Sequence, residues 1–388
     1  MTNRREFLKH VTLLGVAAAL PAQHILAAET PALKPAGEGL FSVSYAKEIK
    51  PTAGKPRTIT IPDSDGFKIL KGDFHMHTLF SDGLVMPKDR VNEAVDNGLD
   101  VIAITDHIEY RPYIGTKELK LAENNDNHNR SYNVAKAEAD KSKLILVRGA
   151  EITKSEWHFN ALFVDDINPI AAVVDDWRAM LAATVDQGGY IHWNHPNWID
   201  RTPDTAPWGL KEGEPLRFFD EIEEARKKGH VHGVEVFNGT TFYPIALDWC
   251  NERDLAPHAN SDIHPSEWNR YGYQNLLRPM TLILAKDRSY ESVREAFFAK
   301  RTVGWAANMI LGRPEWVEKL FRSCVKITKT ENGLQLQNIS DIPSVITAND
   351  KTFDLPPQGS AGVSGTLPKT LVASNWFVGL NKPLEIGI

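Results

Sequence analysis

The sequence predicts an α/β fold in which strands alternate with helices and pair in parallel, arranged either as a barrel or as an open sheet. Short β-rich apolar runs such as Val101–Ile104 are separated by segments with helical periodicity. Several of these runs end, at their carboxyl end, in His, Asp or Glu. Barrel enzymes carry their chemistry at that rim, on side chains from different strands. With 388 residues, the chain is long enough for one large domain and a small one.

Residues 1–28 have the pattern of an export signal. The pair Arg4-Arg5 precedes the apolar run Val11–Leu20, and small residues end at Ala27-Ala28. This order is typical of a twin-arginine signal, which predicts recognition by the twin-arginine translocation machinery and a periplasmic location. The apolar run stops at Pro21 and is too short to cross a hydrocarbon core of about 30 Å, so no stable membrane anchor is expected.

An N-terminal arm with one strand at Thr58–Ile61 is predicted for residues 29–67. The barrel is predicted to span residues 68–312. Polar stretches at 108–143 and 196–215 are expected to cross the rim, where long loops shape a substrate site. Residues 313–388 contain short strand-like runs and predict a β-sandwich-like domain, whose last strand could instead cover the barrel's edge. Helices are predicted at Pro87–Gly98, Trp177–Val185 and Tyr290–Phe298.

The candidate chemistry begins with two histidines, His75 and His77. At this spacing on an extended strand, both side chains project to the same face, and the carboxylate of Asp82 follows five residues later. Further His, Asp and Glu residues follow other apolar runs: His107, Glu151, His158, His195, Asp262 and His264. Imidazole and carboxylate ligands without thiolates suit divalent Mn, Fe or Zn and argue against a structural zinc site.

These motifs, in this order, resemble the PHP family, named for polymerase and histidinol phosphatase domains, over about residues 68–312. The resemblance implies a distorted (β/α)7 barrel that binds two to three divalent ions. It implies one ion held by His75, His77, Glu151 and Asp262, and a second held by Glu151, His158 and His195. It also implies a third ion at Asp82, His107 and His264.

Several assignments compete near these positions. Asp106 precedes His107 and is expected to support a ligand rather than to bind metal. His192 is the chief competitor of His195, and the family's His-Pro pair favours His195. Arg270 and Arg278 are candidates for binding a phosphate oxygen, and either could instead form a surface ion pair. Five aromatic residues could line a pocket for the organic part of a substrate: Trp198, Trp208, Trp268, Tyr271 and Tyr273.

The function predicted from the resemblance is hydrolysis of a small phosphate ester, most simply a diester, by a metal-bridging hydroxide. His264 or Asp82 is expected to assist the leaving oxygen. The alternatives are a monoesterase of the histidinol-phosphatase type, an amidohydrolase and a non-catalytic metal-binding module. The net charge of −6 gives no basic footprint, so no nucleic-acid partner is expected.

Overall fold

The alternation of strands and helices predicted from the sequence is present in the computed structural model, which describes residues 56–115, 127–153, 157–196, 216–274, 276–331 and 333–388. The first part of the chain contains β1 (Lys68–Asp73), α1 (Pro87–Asp96), β2 (Val101–Ile104), α2 (Arg130–Ser142), β3 (Ile145–Ile152), β4 (Phe159–Leu162), α3 (Asn168–Ala171), α4 (Trp177–Val185), β5 (Tyr190–Trp193), α5 (Asp220–Lys227), β6 (Gly233–Asn238), β7 (Thr241–Phe242), α6 (Pro244–Glu252) and β8 (Ala256–Asn260).

The remaining elements complete the barrel and continue into a β-rich region. They are α7 (Glu267–Arg270), a 3₁₀ turn (Gly272–Gln274), β9 (Met280–Ala285), α8 (Tyr290–Phe298), β10 (Thr302–Ala306), β11 (Met309–Gly312), α9 (Pro314–Cys324), β12 (Val325–Thr330), β13 (Gly333–Asn338), β14 (Ser344–Ala348), β15 (Lys351–Leu355), β16 (Ser360–Ser364), β17 (Thr370–Gly379) and β18 (Lys382–Gly387). Among the described residues, none of the helices combines the length and apolar character needed to cross a membrane.

The predicted α/β fold is confirmed, and its strands form a mixed sheet. Strands β1, β2 and β3 are parallel, as are β5, β6 and β8. Between these groups lies β4, which is antiparallel to both β3 and β5. On the other side of β1 lies β9, which is antiparallel to β1. The expectation that strand–helix alternation means parallel pairing throughout is therefore wrong at β4 and β9. The β3–β4 link is too short for a parallel crossover, which needs a dozen or more residues.

The two ends of this strand series meet through side-chain hydrogen bonds. The Ala259 amide of β8 donates to Thr281 Oγ1 of β9 (3.0 Å), and Thr302 Oγ1 of β10 donates to the Pro257 carbonyl (2.8 Å). This contact brings β8 against the strands that precede β1 in the sheet order. The ring of strands thereby closes into a barrel in which the carboxyl ends of the parallel strands face one rim.

Helix α1 shows how the local sequence shapes the barrel wall. Pro87 occupies its first turn, where a missing N–H costs nothing, and Val91 and Ala94 are buried against the sheet. The helix is followed by Gly98 at φ +72°, where an added Cβ would lie 2.4 Å from the Arg57 carbonyl oxygen. The same apolar stripe also buries Arg90, a charge on the inward face.

The C-terminal region is joined to the barrel by the sheet itself. Strand β11 pairs in parallel with β17, with Ile310 opposite Trp376, and β17 continues the sheet to β14 and β18. A separate sheet is formed by β12, β13 and β16. Thus β17, rather than the last strand, covers the barrel's edge. The predicted domain boundaries at residues 28, 67 and 312 stay predictions.

The N-terminal arm and the C-terminal region contain two departures from the sequence expectation. Residues 58–61 form no strand; instead Thr60 exchanges hydrogen bonds with Asp341, its amide donating to Oδ2 at 2.7 Å. Helix α9 was missed, although Val317, Leu320, Phe321 and Cys324 give it a buried face at helical spacing. Cys250 and Cys324 are both buried and free.

Candidate metal centre

Glu151, near the end of β3, lies at the centre of the candidate site with both carboxylate oxygens surrounded by imidazole nitrogens. Its Oε2 is 3.1 Å from His107 Nδ1 and 3.3 Å from both His75 Nε2 and His77 Nε2. The side chain is almost completely buried. One carboxylate oxygen thus faces three histidines carried by two different strands.

The other oxygen of Glu151 faces a second set of side chains. Oε1 is 3.1 Å from His158 Nδ1 and 3.5 Å from His195 Nε2, and it accepts a hydrogen bond from Asn194 Nδ2 at 2.9 Å. His158 lies at the amino-terminal end of β4. Because β4 runs antiparallel to β3, this end reaches the same rim as the carboxyl ends of the parallel strands. A carboxylate arranged in this way can bridge two ions.

Asp262 follows β8 and faces two of the histidines that Glu151 also faces. Its Oδ1 lies 3.1 Å from His77 Nε2 and 3.2 Å from His75 Nε2, and its Oδ2 lies 4.0 Å from His195 Nε2. Asp262 has φ +48° and His195 has φ +23°, a region that non-glycine residues seldom adopt. Such backbone strain is concentrated at functional sites, where the surrounding structure holds it.

The third group of side chains lies beside the first two. Asp82 Oδ1 is 3.5 Å from His107 Nε2, and its Oδ2 is 3.3 Å from His264 Nε2. The His77 ring stacks between these two histidines, with centroids 4.4 Å from His107 and 4.2 Å from His264. The loop that carries Asp82 turns tightly against the site, since a Cβ at Gly83 would be 2.4 Å from the His77 carbonyl oxygen.

All nine side chains predicted as ligands are therefore brought together. Their ligand atoms form four overlapping groups, each within 4.8 Å: His77, Asp82, His107 and His264; His75, His77 and Glu151; His75, His195 and Asp262; Glu151, His158 and His195. The groups differ in detail from the sets implied by the family resemblance, because His77 also joins the Asp82 group and Asp262 also groups with His195. These clusters are able to hold metal ions.

Three buried polar atoms at the centre of the cluster show whether its residues suit a cation. His75 Nε2, His107 Nδ1 and Glu151 Oε2 are buried, and they have no hydrogen-bond partner among the described residues. Buried polar atoms are almost always hydrogen-bonded, so three converging exceptions require another partner. Imidazole nitrogens and carboxylate oxygens are the donor set that divalent transition metals accept. The residues fit a cation-binding role.

The electrostatics of the cluster point the same way. Burial lowers the pKa of His107, but Glu151 and Asp82 outweigh this effect and raise it to about 9. Burial also raises the pKa of the Glu151 carboxyl, yet His107 and His75 hold it well below its usual range. By contrast, burial and the neighbouring His264 and His107 lower the pKa of His77 to about 4. Buried carboxylates held ionised form a site that favours positive charge.

Glu235, in the buried strand β6, was missed by the sequence reasoning and supports two candidate ligands at once. Its Oε1 accepts from His75 Nδ1 (2.9 Å) and Asn260 Nδ2 (2.9 Å). Its Oε2 accepts from the His195 amide (2.7 Å) and Asn238 Nδ2 (2.8 Å). The bond from Nδ1 leaves the His75 Nε2 lone pair directed at Glu151 and Asp262. The only sequence signal is a carboxylate inside the otherwise apolar run Val234–Phe237.

Asp106 and His192, the residues that competed with His107 and His195 in the sequence, belong to none of the four ligand groups. Asp106 accepts from the Thr78 amide and hydroxyl, both at 2.7 Å, and from Ser81 Oγ at 2.7 Å. These bonds fix the loop between His77 and Asp82. His192 is fully buried, with Nε2 3.8 Å from Glu235 Oε1, and it belongs to none of the four ligand groups.

The proposed phosphate role of Arg278 is contradicted by its position. Its guanidinium is completely buried, pairs with Asp73 through Nη2 and also donates to Ser261 Oγ at 3.0 Å. Asp73 in turn accepts from the Ser261 and His75 amides. Arg278 therefore fixes the backbone beneath Asp262 and is inaccessible to a substrate. Arg270 is half-buried, with its guanidinium 5.8 Å from the Tyr271 ring, and stays a candidate.

The predicted aromatic pocket is only partly described. Tyr271 is buried, so it cannot line an open pocket. Trp268 and Tyr273 are 62% and 51% exposed on the segment that follows His264. Trp198 and Trp208, together with the stretch 197–215, lie outside the described residues.

The arrangement at this rim agrees with the comparison of the chain with protein families. A PHP domain model matches residues 73–328, more than half of the chain. The chain belongs to the PHP family. The match covers all nine clustered side chains, so the resemblance noted in the sequence is confirmed at the level of the family.

One solved structure resembles this PHP protein over most of its length. A two-domain protein from Bacteroides vulgatus ATCC 8482, described as containing a predicted PHP-like metal-dependent phosphoesterase, is 32% identical, with a TM-score of 0.76. The alignment covers 87% of this chain and 99% of that one. The family of this chain is therefore that of PHP-like metal-dependent phosphoesterases.

Two other solved structures are more distant. A candidate metal-dependent phosphoesterase from Bifidobacterium adolescentis ATCC 15703 is 16% identical over 59% of this chain and 96% of that one, with a TM-score of 0.39. An amidohydrolase from Chromobacterium violaceum with bound sulfate is 13% identical over 52% of this chain and 89% of that one, with a TM-score of 0.36. No curated protein matches this chain.

Proposed function

We propose that this PHP protein hydrolyses a small organic phosphodiester with two to three divalent ions, Mn, Zn or Fe, held by the nine clustered side chains. The observation that carries the proposal is the position of Glu151, whose two oxygens face different sets of histidines within 3.1–3.5 Å. When bound, such ions neutralise phosphoryl oxygens and lower the pKa of a water molecule. The membership of a metal-dependent phosphoesterase family supports this chemistry.

The side chains of the site differ in solvent exposure, and we assign their roles accordingly. Glu151, His75 and His77 are buried and define the ligand geometry at the bottom of the site. His264 is the more open residue, with its side chain 34% exposed, and its Nε2 lies 3.3 Å from Asp82 Oδ2. Its Nδ1 lies 2.9 Å from the Asp262 carbonyl oxygen, which can accept from it and leave Nε2 facing Asp82. His264 is therefore placed to assist a leaving alkoxide, either through an ion held with Asp82 or by donating a proton.

The preference for a diester rests on charge. A diester phosphoryl group carries one negative charge, whereas a monoester approaches two at neutral pH. Arg278, one of two arginines predicted as candidates for binding a phosphate oxygen, is instead paired with Asp73 in the interior. Its sequestration favours the substrate with the smaller charge. Arg270 is the guanidinium we assign to the remaining phosphoryl oxygen.

Export is part of the same proposal. The signal formed by Arg4-Arg5 and the apolar run Val11–Leu20 supports transport by the twin-arginine machinery and activity in the periplasm. Such a route carries proteins that are already folded. Metal could therefore be loaded before export.

A panel of nitrophenyl esters tests the substrate class. Purified protein reconstituted with Mn²⁺ is assayed against a nitrophenyl monoester and the corresponding methyl nitrophenyl diester, with the metal-stripped protein as the control. We expect kcat/KM to be higher for the diester, and activity to disappear after chelation and return with metal. A higher value for the monoester would reassign the protein as a phosphomonoesterase. No hydrolysis of either ester by metal-loaded protein would overturn the proposed function.

A further inference from the structure

Arg90 is a completely buried arginine on the inward face of helix α1, beneath the loops that carry part of the candidate metal centre. Burying a guanidinium costs several kcal/mol unless it is paired and hydrogen-bonded. A residue at this position of an amphipathic helix would ordinarily be apolar. Its presence calls for a set of partners that an apolar residue could not satisfy.

Those partners are four backbone carbonyls and one carboxylate. Nε donates to the His77 carbonyl at 2.9 Å, and Nη2 donates to the carbonyls of Ile263 (3.0 Å) and His264 (2.8 Å). Nη1 donates to the Pro265 carbonyl (2.8 Å) and to Glu93 Oε2 (2.7 Å). An arginine offers five N–H groups, and this geometry gives each of them an acceptor.

The carbonyls belong to two segments that are far apart in the chain. One begins at His77 and leads to Asp82; the other runs from Asp262 to Pro265 and carries His264. The two are also tied by the Leu84 amide, which donates to the His264 carbonyl at 2.8 Å, and by the His77 amide, which donates to the Ile263 carbonyl at 3.0 Å. Arg90 thus holds the backbone on both sides of the gap between Asp82 and His264.

Glu93 connects Arg90 to the start of helix α7. Its Oε2 accepts from Arg90, and its Oε1 accepts from the Glu267 amide at 2.9 Å, at the start of α7. The segment 263–267 is therefore fixed at several consecutive peptide groups by one ion pair. His264 is the member of the cluster whose side chain is most open to solvent, so its position depends on this backbone support.

We propose that Arg90 is a positioning residue that sets the separation of Asp82 and His264 and so determines whether the Asp82–His107–His264 group binds its ion. The inference deepens the proposed function and rests on it for the kinetic readout, whereas the metal measurement is independent of any substrate. Lysine keeps the charge but cannot reach four carbonyls at once, because its three donors sit on a single nitrogen. Arg90→Lys therefore removes the clamp without removing the positive charge.

The experiment compares Arg90→Lys with Arg301→Lys. Arg301 is a matched control, since it is also nearly buried, donates to the Leu284 carbonyl at 2.9 Å and pairs with Glu295, away from the nine ligands. Each protein is stripped, dialysed against a series of free Mn²⁺ concentrations and analysed for bound metal. We expect Arg90→Lys to bind one ion about 10–100-fold more weakly and the others as the wild type does, which is the range seen when supporting partners of ligands are changed. Arg301→Lys should keep the wild-type binding curve.

A kinetic measurement separates positioning from general damage. Arg90→Lys should slow an alkyl ester more than a nitrophenyl ester, as expected for His264→Asn, and the double variant should be no slower than His264→Asn alone. Binding curves for Arg90→Lys that match the wild type would overturn the inference, whether the wild type holds two ions or three. Equal weakening in Arg301→Lys would also overturn it. A wild-type protein without metal or esterase activity would instead refute the proposed function.

Discussion

Glu235→Gln is the substitution that best separates the support of the metal centre from its ligands. The carboxylate contacts no candidate ion position directly, yet it accepts four hydrogen bonds, two on each oxygen. The glutamine amide keeps one oxygen and replaces the other with an NH₂ group. Two buried donors then face this NH₂ group instead of an acceptor. They are His75 Nδ1 and Asn260 Nδ2 if it replaces Oε1, or the His195 amide and Asn238 Nδ2 if it replaces Oε2.

The size of the effect follows from those bonds. Each buried donor left without an acceptor costs about 1–3 kcal/mol. Part of that cost lowers the free energy of unfolding. The rest weakens the bonds that fix the orientation of His75 or His195. Changing the outer partner of a metal-bound histidine typically weakens metal binding by about 10–100-fold, which is about 1.4–2.8 kcal/mol. We expect Glu235→Gln to lie in this range for the ions that use His75 and His195.

Chelator competition monitored by elemental analysis measures the affinity, and thermal unfolding of the stripped protein measures stability separately. The control is Asp100→Asn, which removes a carboxylate that accepts from the Lys71 amide (2.9 Å) and Nζ (2.6 Å) away from the ligands. Asp100→Asn should lower the melting temperature without changing metal affinity. Unchanged metal affinity in folded Glu235→Gln would refute the supporting role, as would equal weakening in the control.

Three other substitutions have defined outcomes. Glu151→Gln should lower metal content together with activity, because it removes the charge shared by both histidine sets; full metal content in elemental analysis would contradict the bridging role. His264→Asn should keep the ions near Glu151 and slow turnover by about 10²–10⁴-fold, more for alkyl than for nitrophenyl esters in steady-state assays. An equal loss on both esters would restrict His264 to positioning. Replacing Arg4 and Arg5 with lysine should abolish export, and undiminished periplasmic activity in cell fractions would show that the signal is misread.

The ligand cluster could be predicted from local spacing together with the resemblance to the PHP family. The His-x-His and Asp-x-His spacings place side chains on one face, and the strand that precedes each motif delivers it to one rim. His158 is different: it reaches that rim because β4 runs antiparallel to β3, and nothing in the sequence around Phe159 gives the direction of the strand.

The supporting roles of Glu235, Arg90 and Arg278 could not be assigned because their partners are distant in the chain. Arg278 looked available for phosphate, but its partner Asp73 lies 205 positions earlier. Arg90 gave a weaker signal of its own, since it occupies the inward stripe of α1 together with Pro87, Val91 and Ala94. A charge in such a stripe indicates a buried polar contact without naming the partner.

The number of ions bound to the purified protein measures directly whether the nine side chains form a multinuclear metal centre. Protein expressed with manganese supplementation and freed of loosely bound metal by gel filtration is analysed for Mn, Zn and Fe against protein concentration. We expect two to three equivalents of metal per chain and a loss of at least one equivalent in Glu151→Gln. One equivalent or none in active wild-type protein would contradict a multinuclear centre.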